Sequence, residues 1–165
     1  MPVDSFKWMP PSLANYYRNL SMTRAEVPWT PLRKPLRECR FSLLSTAGAY
    51  LKDEQEPFDV EREKREPTWG DPTYRAIPRE VRQEQIGVAH LHINTADLEA
   101  DVNVALPINR FLELEAAVEI GSLAPTSYSV MGYQQSNDEG RDLIGPEIAS
   151  RMKDEKVDCA FLTPV

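Results

Sequence analysis

Short strand-like runs that alternate with amphipathic segments constrain the fold of this chain more than any other feature. The runs occupy residues 39–48, 85–93, 126–132 and 157–163. Each is short enough for one strand, and apolar side chains on both faces are typical of a parallel sheet. The alternation predicts an α/β fold, in which a mostly parallel sheet of Rossmann- or flavodoxin-like type is covered by helices.

Two amphipathic segments have the spacing of helices. In residues 107–121, Pro107 suits the first helical position and Gly121 suits the position after the last turn. The residues that recur on one face are Phe111, Leu114 and Val118 in this segment, and Ile144, Ile148 and Met152 in residues 141–153. We therefore expect one helix in each segment.

The first 35 residues differ from the rest because they are rich in proline and aromatic residues. This composition predicts an extended N-terminal arm over residues 1–35, with at most one short helix at residues 16–22. Many aromatic side chains are costly to leave in water, so the arm should pack on its own domain or on another subunit of a homo-oligomer. Residues 36–165 then form a single α/β domain.

Charge and length exclude several classes of protein. The 165 residues suit one domain, and the net charge of -7 comes from acidic residues mixed with basic ones, which offers nucleic acid no cationic track. There is no signal peptide and no run of about 18 apolar residues that could span a membrane. We expect a cytoplasmic protein with no nucleic-acid or membrane partner. Cys39 and Cys159 are then reduced core residues.

Two polar segments are candidates for a ligand site. Residues 53–78 show no sustained periodicity, and residues 95–103 collect polar side chains after the second strand-like run. Both segments are predicted to be loops, the first one a long binding loop. Ligands of open parallel sheets bind beyond the carboxyl ends of the strands, where such loops lie.

Four polar residues in these segments each allow two interpretations. Asp71 and Arg75 either form an ion pair that pins the long loop, or Arg75 binds a substrate carboxylate. Asp101 and Asn103 either tie a turn to its own backbone or take part in catalysis. The sequence leaves both choices open.

His90 and His92 lie two residues apart in the second run. On a strand their imidazoles would share one face, where they could transfer protons or bind a metal together with Asp101. The alternative is one hydrogen-bonded core imidazole and one residue at the strand end. Two ligands make a weak metal site, so no metal is expected.

Several common catalytic motifs are absent from the sequence. It contains no P-loop, no dinucleotide-binding glycine motif, no paired Cys-x-x-Cys spacing and no nucleophile elbow. Neither cysteine lies in a context that would activate a thiolate. The chain therefore shows no catalytic nucleophile of its own.

Taken in order, several segments resemble the selenoprotein subunit of the glycine, sarcosine, betaine and D-proline reductases, and the D-proline branch is most similar. The similarity runs from about Val27 to Val165. The matching motifs are Pro-Trp-Thr-Pro-Leu-Arg-Lys-Pro-Leu at residues 28–36, Leu-Ser-Thr-Ala-Gly at 44–48, Gly-Asp-Pro-Thr-Tyr-Arg at 70–75, His90, Asp-Val-Asn at 101–103 with Pro107, Ile-Gly at 120–121 and Met-Gly at 131–132.

The resemblance implies reductive cleavage of a carbon-nitrogen bond in a proline- or glycine-type substrate, with a dithiol or thioredoxin-like electron donor. In that family a catalytic selenocysteine directly follows the stretch that matches residues 157–165, and a partner subunit carries a pyruvoyl group. We therefore expect that a UGA codon follows Val165, that the C-terminal part is missing, and that the chain is inactive as it stands.

The same resemblance assigns roles to individual residues. It implies that His90 donates or orients a proton, that Asp101 or Asn103 supports it, and that Tyr74, Arg75 and Asp71 contact substrate. The alternative function is a non-catalytic module of the same fold that binds a small molecule or a partner protein.

Overall fold

The computed structural model describes residues 6–19, 30–66, 69–132 and 140–165, without the side chains of residues 16, 17, 140 and 141. The chain divides into two compact units, Met1–Pro31 and Leu32–Val165.

Helix α1 (Pro11–Asn19) lies in the first unit. The prediction of an extended conformation is wrong for these residues. A proline at the first helical position loses no hydrogen bond, and its fixed φ suits the helix. The helix predicted at residues 16–22 overlaps α1 up to residue 19, and residues 20–22 lie outside the described part of the chain.

A mostly parallel sheet forms the centre of the second unit. The strands of this unit are β1 (Arg40–Ser45), β2 (Ala49–Leu51), β3 (Tyr74–Pro78), β4 (Ile86–Val88), β5 (Ser122–Leu123), β6 (Thr126–Val130) and β7 (Cys159–Thr163). β1 pairs in parallel with β7 along one edge, and with β5 and then β6 along the other. β3 joins β6 as an antiparallel strand. The predicted α/β class with a mostly parallel sheet is confirmed.

Four α-helices accompany these strands. They are α2 (Val60–Arg65), α3 (Thr95–Ala100), α4 (Ile108–Ala116) and α5 (Gly145–Asp154). The last two confirm the two predicted helices, and a π-helical turn (Gly140–Ile144) precedes α5. Ile148 and Met152 are buried as predicted.

The ends and the buried face of α4 differ from the prediction. Pro107 is its N-cap rather than its first residue. Phe111 is buried, but Val118 lies beyond the helix with a φ of 60° and is 69% exposed. Gly121 is needed for close packing rather than as a helix stop, because a Cβ there would lie 2.8 Å from the Cys39 carbonyl oxygen.

Two predicted loops contain regular structure. Residues 53–78 include α2 and β3, and residues 95–103 include α3 and a short 3-10 helix (Val102–Val104). The two short helices are stabilised by capping, since the side chains of Asp59 and Asn94 accept hydrogen bonds from their first turns. β3 owes its form to pairing with a strand about 50 residues later, which local sequence does not reveal.

The second predicted strand is shorter than expected and belongs to another sheet. Within residues 85–93, the segment Ile86–Val88 forms β4, which pairs antiparallel with β2 in a separate two-stranded sheet. His90 and His92 follow in an irregular segment, so the prediction that they share one face of a strand is wrong.

Apolar side chains cover both faces of the main sheet. One cluster contains Leu43, Ile77, Leu106, Phe111 and Leu123, and another contains Tyr128, Ile148 and Met152. The apolar run at residues 157–163 predicts a strand that is covered on both faces, but Leu162 of β7 is 63% exposed. The reason is that β7 pairs with β1 alone among the described strands, so that its other edge is open. In the described ranges, no helix has both the length and the apolar character needed to cross a bilayer.

Candidate active site

A cavity of about 200 Å³ lies beyond the carboxyl ends of the parallel strands. It is lined by His90, His92, Gly132 and Val165, and we call it the His90 cavity. Gly132 follows β6 and Val165 follows β7, so the cavity lies beyond the carboxyl ends of these strands. None of its lining residues belongs to the two polar segments, residues 53–78 and 95–103, that were predicted to hold a ligand.

The end of β7 is fixed to the end of β1. Thr46 follows β1, and its hydroxyl accepts a hydrogen bond from the Val165 N–H at 2.8 Å and donates to the Val165 carbonyl oxygen at 3.4 Å. The Thr46 N–H also donates to the Thr163 carbonyl at 3.2 Å. These bonds hold Val165 at the edge of the cavity.

Gly48 places the histidine segment over the strand ends. Its φ of +67° is in the left-handed region, which glycine adopts without strain, and it turns the chain from β1 into β2. The Gly48 carbonyl accepts the Ala89 N–H at 2.9 Å, and the Gly48 N–H donates to the Val130 carbonyl at 3.1 Å. His90 is thereby positioned next to the end of β6.

Gly132 keeps the cavity open beside His90. A Cβ at this position would lie 3.3 Å from His90 Nε2 and 3.2 Å from the Thr46 carbonyl oxygen. Both distances are tighter than ordinary contacts, so a larger residue would crowd His90 Nε2.

The hydrogen bonds of His90 define its protonation state. His90 is 8% exposed, and its Nδ1 accepts the His92 backbone N–H at 3.1 Å. Burial, together with the charge of His92, lowers the pKa of His90 from its usual value of 6.5. The ring is therefore neutral near pH 7 with its proton on Nε2. Nε2 is buried and has no hydrogen-bond partner among the described residues, so its proton is not engaged by any of them.

Glu63 is a residue of this region that the sequence analysis missed. It is 3% exposed, and its Oε1 lies 3.1 Å from Nε2 of His92. The charged run at residues 61–66 lies in a segment without sustained periodicity, which predicts a loop. A helical interpretation would have placed Glu63 three residues after Val60, on the face that packs inward.

Asp71 and Arg75 fix the segment before α2 and do not line the His90 cavity. Asp71 accepts hydrogen bonds from the Asp59 N–H at 2.9 Å and from the Thr73 N–H at 3.0 Å. Arg75 donates to the carbonyls of Glu56 and Pro57, and its guanidinium lies 4.3 Å from the centre of the Phe58 ring. Burial lowers the pKa of Arg75, while the charge of Asp71 opposes this shift.

Tyr74 points away from Arg75, because neighbouring residues of a strand face opposite sides of the sheet. Its hydroxyl donates to Glu147 of α5 at 2.6 Å, and its ring packs on Tyr128. Burial, with the hydrogen bond to Glu147, raises the pKa of Tyr74. The structure thus does not bring Tyr74 and Arg75 to one point.

Asp101 and Asn103 hold the turn that leads into α4. Asp101 Oδ1 accepts hydrogen bonds from the backbone N–H and the side-chain amide of Asn103 at 3.0 and 2.7 Å. These bonds lower the pKa of Asp101. Asn103 Oδ1 accepts the Asn109 N–H at 2.9 Å. Neither side chain is among the lining residues of the His90 cavity.

Metal and thiol chemistry find little support in the described residues. Within them, no three or more His, Cys, Asp or Glu side chains are arranged to hold a metal ion. Burial, a hydrogen bond with Cys39 and the charge of Asp158 raise the pKa of Cys159 to about 11. Its thiol therefore stays protonated near pH 7 and is a poor nucleophile.

The structure is that of an α/β protein with a cavity at the carboxyl ends of its parallel strands, the place where open sheets of this kind bind ligands. The chain belongs to the glycine/sarcosine/betaine reductase selenoprotein B family, whose sequence profile matches residues 14–165. D-proline reductase subunit gamma from Acetoanaerobium sticklandii is 30% identical over 135 residues, which cover 82% of this chain and 52% of that relative. The chain thus spans about half the length of the curated relative. No solved structure matches it.

Proposed function

We propose that this chain is a subunit of an amino-acid reductase of the selenoprotein type. The reaction would be the reductive cleavage of a carbon-nitrogen bond in a proline- or glycine-type substrate, with a dithiol or thioredoxin-like electron donor. One observation supports this proposal most: Thr46 holds Val165 at the edge of the cavity that His90 lines, and His90 Nε2 has no hydrogen-bond partner among the described residues. The next residue of the chain would begin at that cavity.

The position after Val165 is where the resemblance places selenocysteine. A selenol supplies a nucleophile that is ionised near neutral pH. His90 fits such a neighbour, because its buried Nε2–H has no acceptor among the described residues and could hydrogen-bond an anionic atom. Gly132 avoids the crowding of His90 Nε2 that a Cβ at this position would cause.

The size of the cavity supports a small substrate. Its volume of about 200 Å³ corresponds to about six or seven water molecules at about 30 Å³ each. An amino acid of the size of glycine or proline fits this space. His90 would then be the residue of this chain that contacts the reacting atoms.

Other parts of the proposal concern the assembly. A partner subunit would carry the pyruvoyl group. Phe161 and Leu162 of β7 are exposed apolar residues, and they offer a surface for a partner or a second copy of this chain.

A cytoplasmic location and a Rossmann- or flavodoxin-like topology remain part of the proposal. Substrate contacts by Tyr74, Arg75 and Asp71, and support of His90 by Asp101 or Asn103, stay predictions.

The deciding experiment is to sequence the DNA beyond the Val165 codon and to measure the intact mass of the native protein by mass spectrometry. We expect a UGA codon directly after the Val165 codon, followed by an open reading frame with a cysteine codon shortly after it. The native protein should then have a mass above 18.8 kDa. The full product with its partner should then reduce D-proline or glycine with dithiothreitol as donor. A different stop codon with a native mass of 18.8 kDa would contradict the proposal and favour the non-catalytic binding module.

A further inference from the structure

The α2 helix contains a buried carboxylate among exposed charges. Glu61 pairs with Lys64 at 2.6 Å, and Arg62 pairs with Glu66 at 3.1 Å, all with exposed side chains. Glu63 on the same helix is 3% exposed, and its partner is a histidine. The helix thus directs one of its charged side chains into the protein.

Burial of this carboxylate is energetically unfavourable. A buried ion costs several kcal/mol unless its partners compensate, and Glu63 Oε2 has no hydrogen-bond partner among the described residues. The helix has other anchors, since Asp59 caps it and Val60 packs against the cluster of Phe58, Ala89 and Met131. The fold therefore does not need a carboxylate here, which suggests that its role lies at His92.

The contact with Glu63 determines which nitrogen of His92 carries the proton in the neutral ring. A carboxylate only accepts hydrogen bonds, so His92 Nε2 must be the donor at 3.1 Å. Nδ1 of the neutral ring is then the nitrogen without a proton. In His90 the proton also lies on Nε2, but for a different reason, because Nδ1 accepts the His92 backbone N–H.

We propose that Glu63 is a positioning residue of the candidate active site, which fixes the orientation and tautomer of His92 at the wall of the His90 cavity. The two imidazoles then both present their proton at Nε2, in His90 to a partner outside the described residues and in His92 to Glu63. This inference rests on the proposed function only in placing the chemistry at this cavity. A buried carboxylate behind an imidazole is an established way to fix a tautomer for proton transfer.

The test is nitrogen-15 NMR of the histidine rings in this chain, at a pH of about 8 where free histidine is neutral. The wild-type protein should show both rings protonated at Nε2. In E63Q the side chain offers His92 Nε2 both an acceptor oxygen and a donor amide, so the His92 ring should no longer be confined to the Nε2–H tautomer, while His90 keeps its own. The matched control is E61Q, which changes an exposed carboxylate of the same helix and should leave both rings unchanged. An unchanged His92 tautomer in both E63Q and the apolar variant E63L would overturn the inference.

A second variant distinguishes a role of Glu63 in positioning His92 from a role in packing. E63L replaces the buried carboxylate by an apolar side chain of similar size, which removes the cost of burying the charge, while His92 is 58% exposed and stays solvated. We expect E63L to unfold at the same or a higher urea concentration than the wild type and to lose the fixed His92 tautomer. A clear loss of stability with the tautomer retained would show that Glu63 is structural, and would overturn the inference.

Kinetics of the full gene product with its partner complete the test. E63Q should lower kcat by about 10²-fold, the usual effect of losing a proton-transfer group, with KM little changed, whereas E61Q should match the wild type. If the wild type shows no reductase activity, the proposed function fails and the NMR test still decides the role of Glu63. If the wild type and E63Q are equally active, the role of Glu63 is refuted and the proposed function stands.

Discussion

The hydroxyl of Thr46 holds the backbone of Val165 through two hydrogen bonds, one to its N–H at 2.8 Å and one to its carbonyl oxygen at 3.4 Å. The two residues are 119 positions apart in the chain and meet because β1 and β7 pair in parallel. This contact determines where the chain lies as it leaves β7, next to His90 and Gly132.

Removal of the Thr46 hydroxyl should loosen this end of the chain. T46V keeps the shape of the side chain but loses both hydrogen bonds, each worth about 0.5–1.5 kcal/mol. Only one of these bonds is made by the Val165 N–H, so its amide should exchange with solvent about threefold to tenfold faster. T46S should exchange at the wild-type rate, because it retains the hydroxyl. If the Val165 amide exchanges as slowly in T46V as in the wild type, the backbone hydrogen bonds between β1 and β7 alone hold this residue.

Filling the space beside His90 should block the cavity without unfolding the protein. In G132A the new methyl group would lie 3.3 Å from His90 Nε2. We expect the activity of the full gene product to fall about tenfold or more, since small displacements at a reacting centre have large effects. The control is G145A, where a Cβ meets no atom within 4 Å, and it should keep full activity. Wild-type activity in G132A would exclude His90 Nε2 as a contact of the reacting atoms.

The pKa of His90 predicts how stability depends on pH. Because burial lowers this pKa in the folded state, the unfolded chain binds the proton more readily. The stabilisation from neutral His90 is complete above about pH 6.5 and is lost as the pH falls toward the folded-state value. The difference in free energy of unfolding between the wild type and H90N, from urea titrations, should therefore shrink from about pH 7.5 to 5. A difference that does not change with pH would mean that His90 titrates alike in both states.

Substitution of Arg75 separates its two proposed roles. Its bonds to the carbonyls of Glu56 and Pro57 predict that R75M lowers the free energy of unfolding by about 1.5–3 kcal/mol. R82M, which removes an exposed partner of Glu84, should cost at most about 1 kcal/mol. If Arg75 instead binds a substrate carboxylate, R75M should raise KM and leave the urea midpoint unchanged.

Local sequence patterns were sufficient for the elements whose signals are local. Pro107 and the apolar residues of α5 located two helices, and the short run before Gly48 located the central strand β1. Local sequence patterns did not predict the elements whose structure depends on residues far away in the chain. β3 forms because β6 lies beside it, and the segment with His90 is irregular because Gly48 and Ala89 fix it to the strand ends.

In the candidate site, too, some residues could be predicted from the sequence and others are found only in the tertiary structure. His90 was predicted from its residue type and from the resemblance, and it lines the cavity. Glu63 was missed because a glutamate in a charged run is usually solvated, and only the packing of α2 reveals that it is buried. Asp101 and Arg75 matched the family motifs equally well, but their contacts are with neighbouring backbone.

The sequence by itself therefore determined the α/β class and the family, and it named His90 as a candidate site residue, because periodicity, glycine and proline positions and ordered motifs are properties of the chain. Only the tertiary structure decided which side chains meet. Thr46 and Val165, and Glu63 and His92, are brought together by sheet pairing and by the packing of α2. Such contacts depend on strand register and on burial, which follow from the summed packing of the whole domain rather than from any local segment.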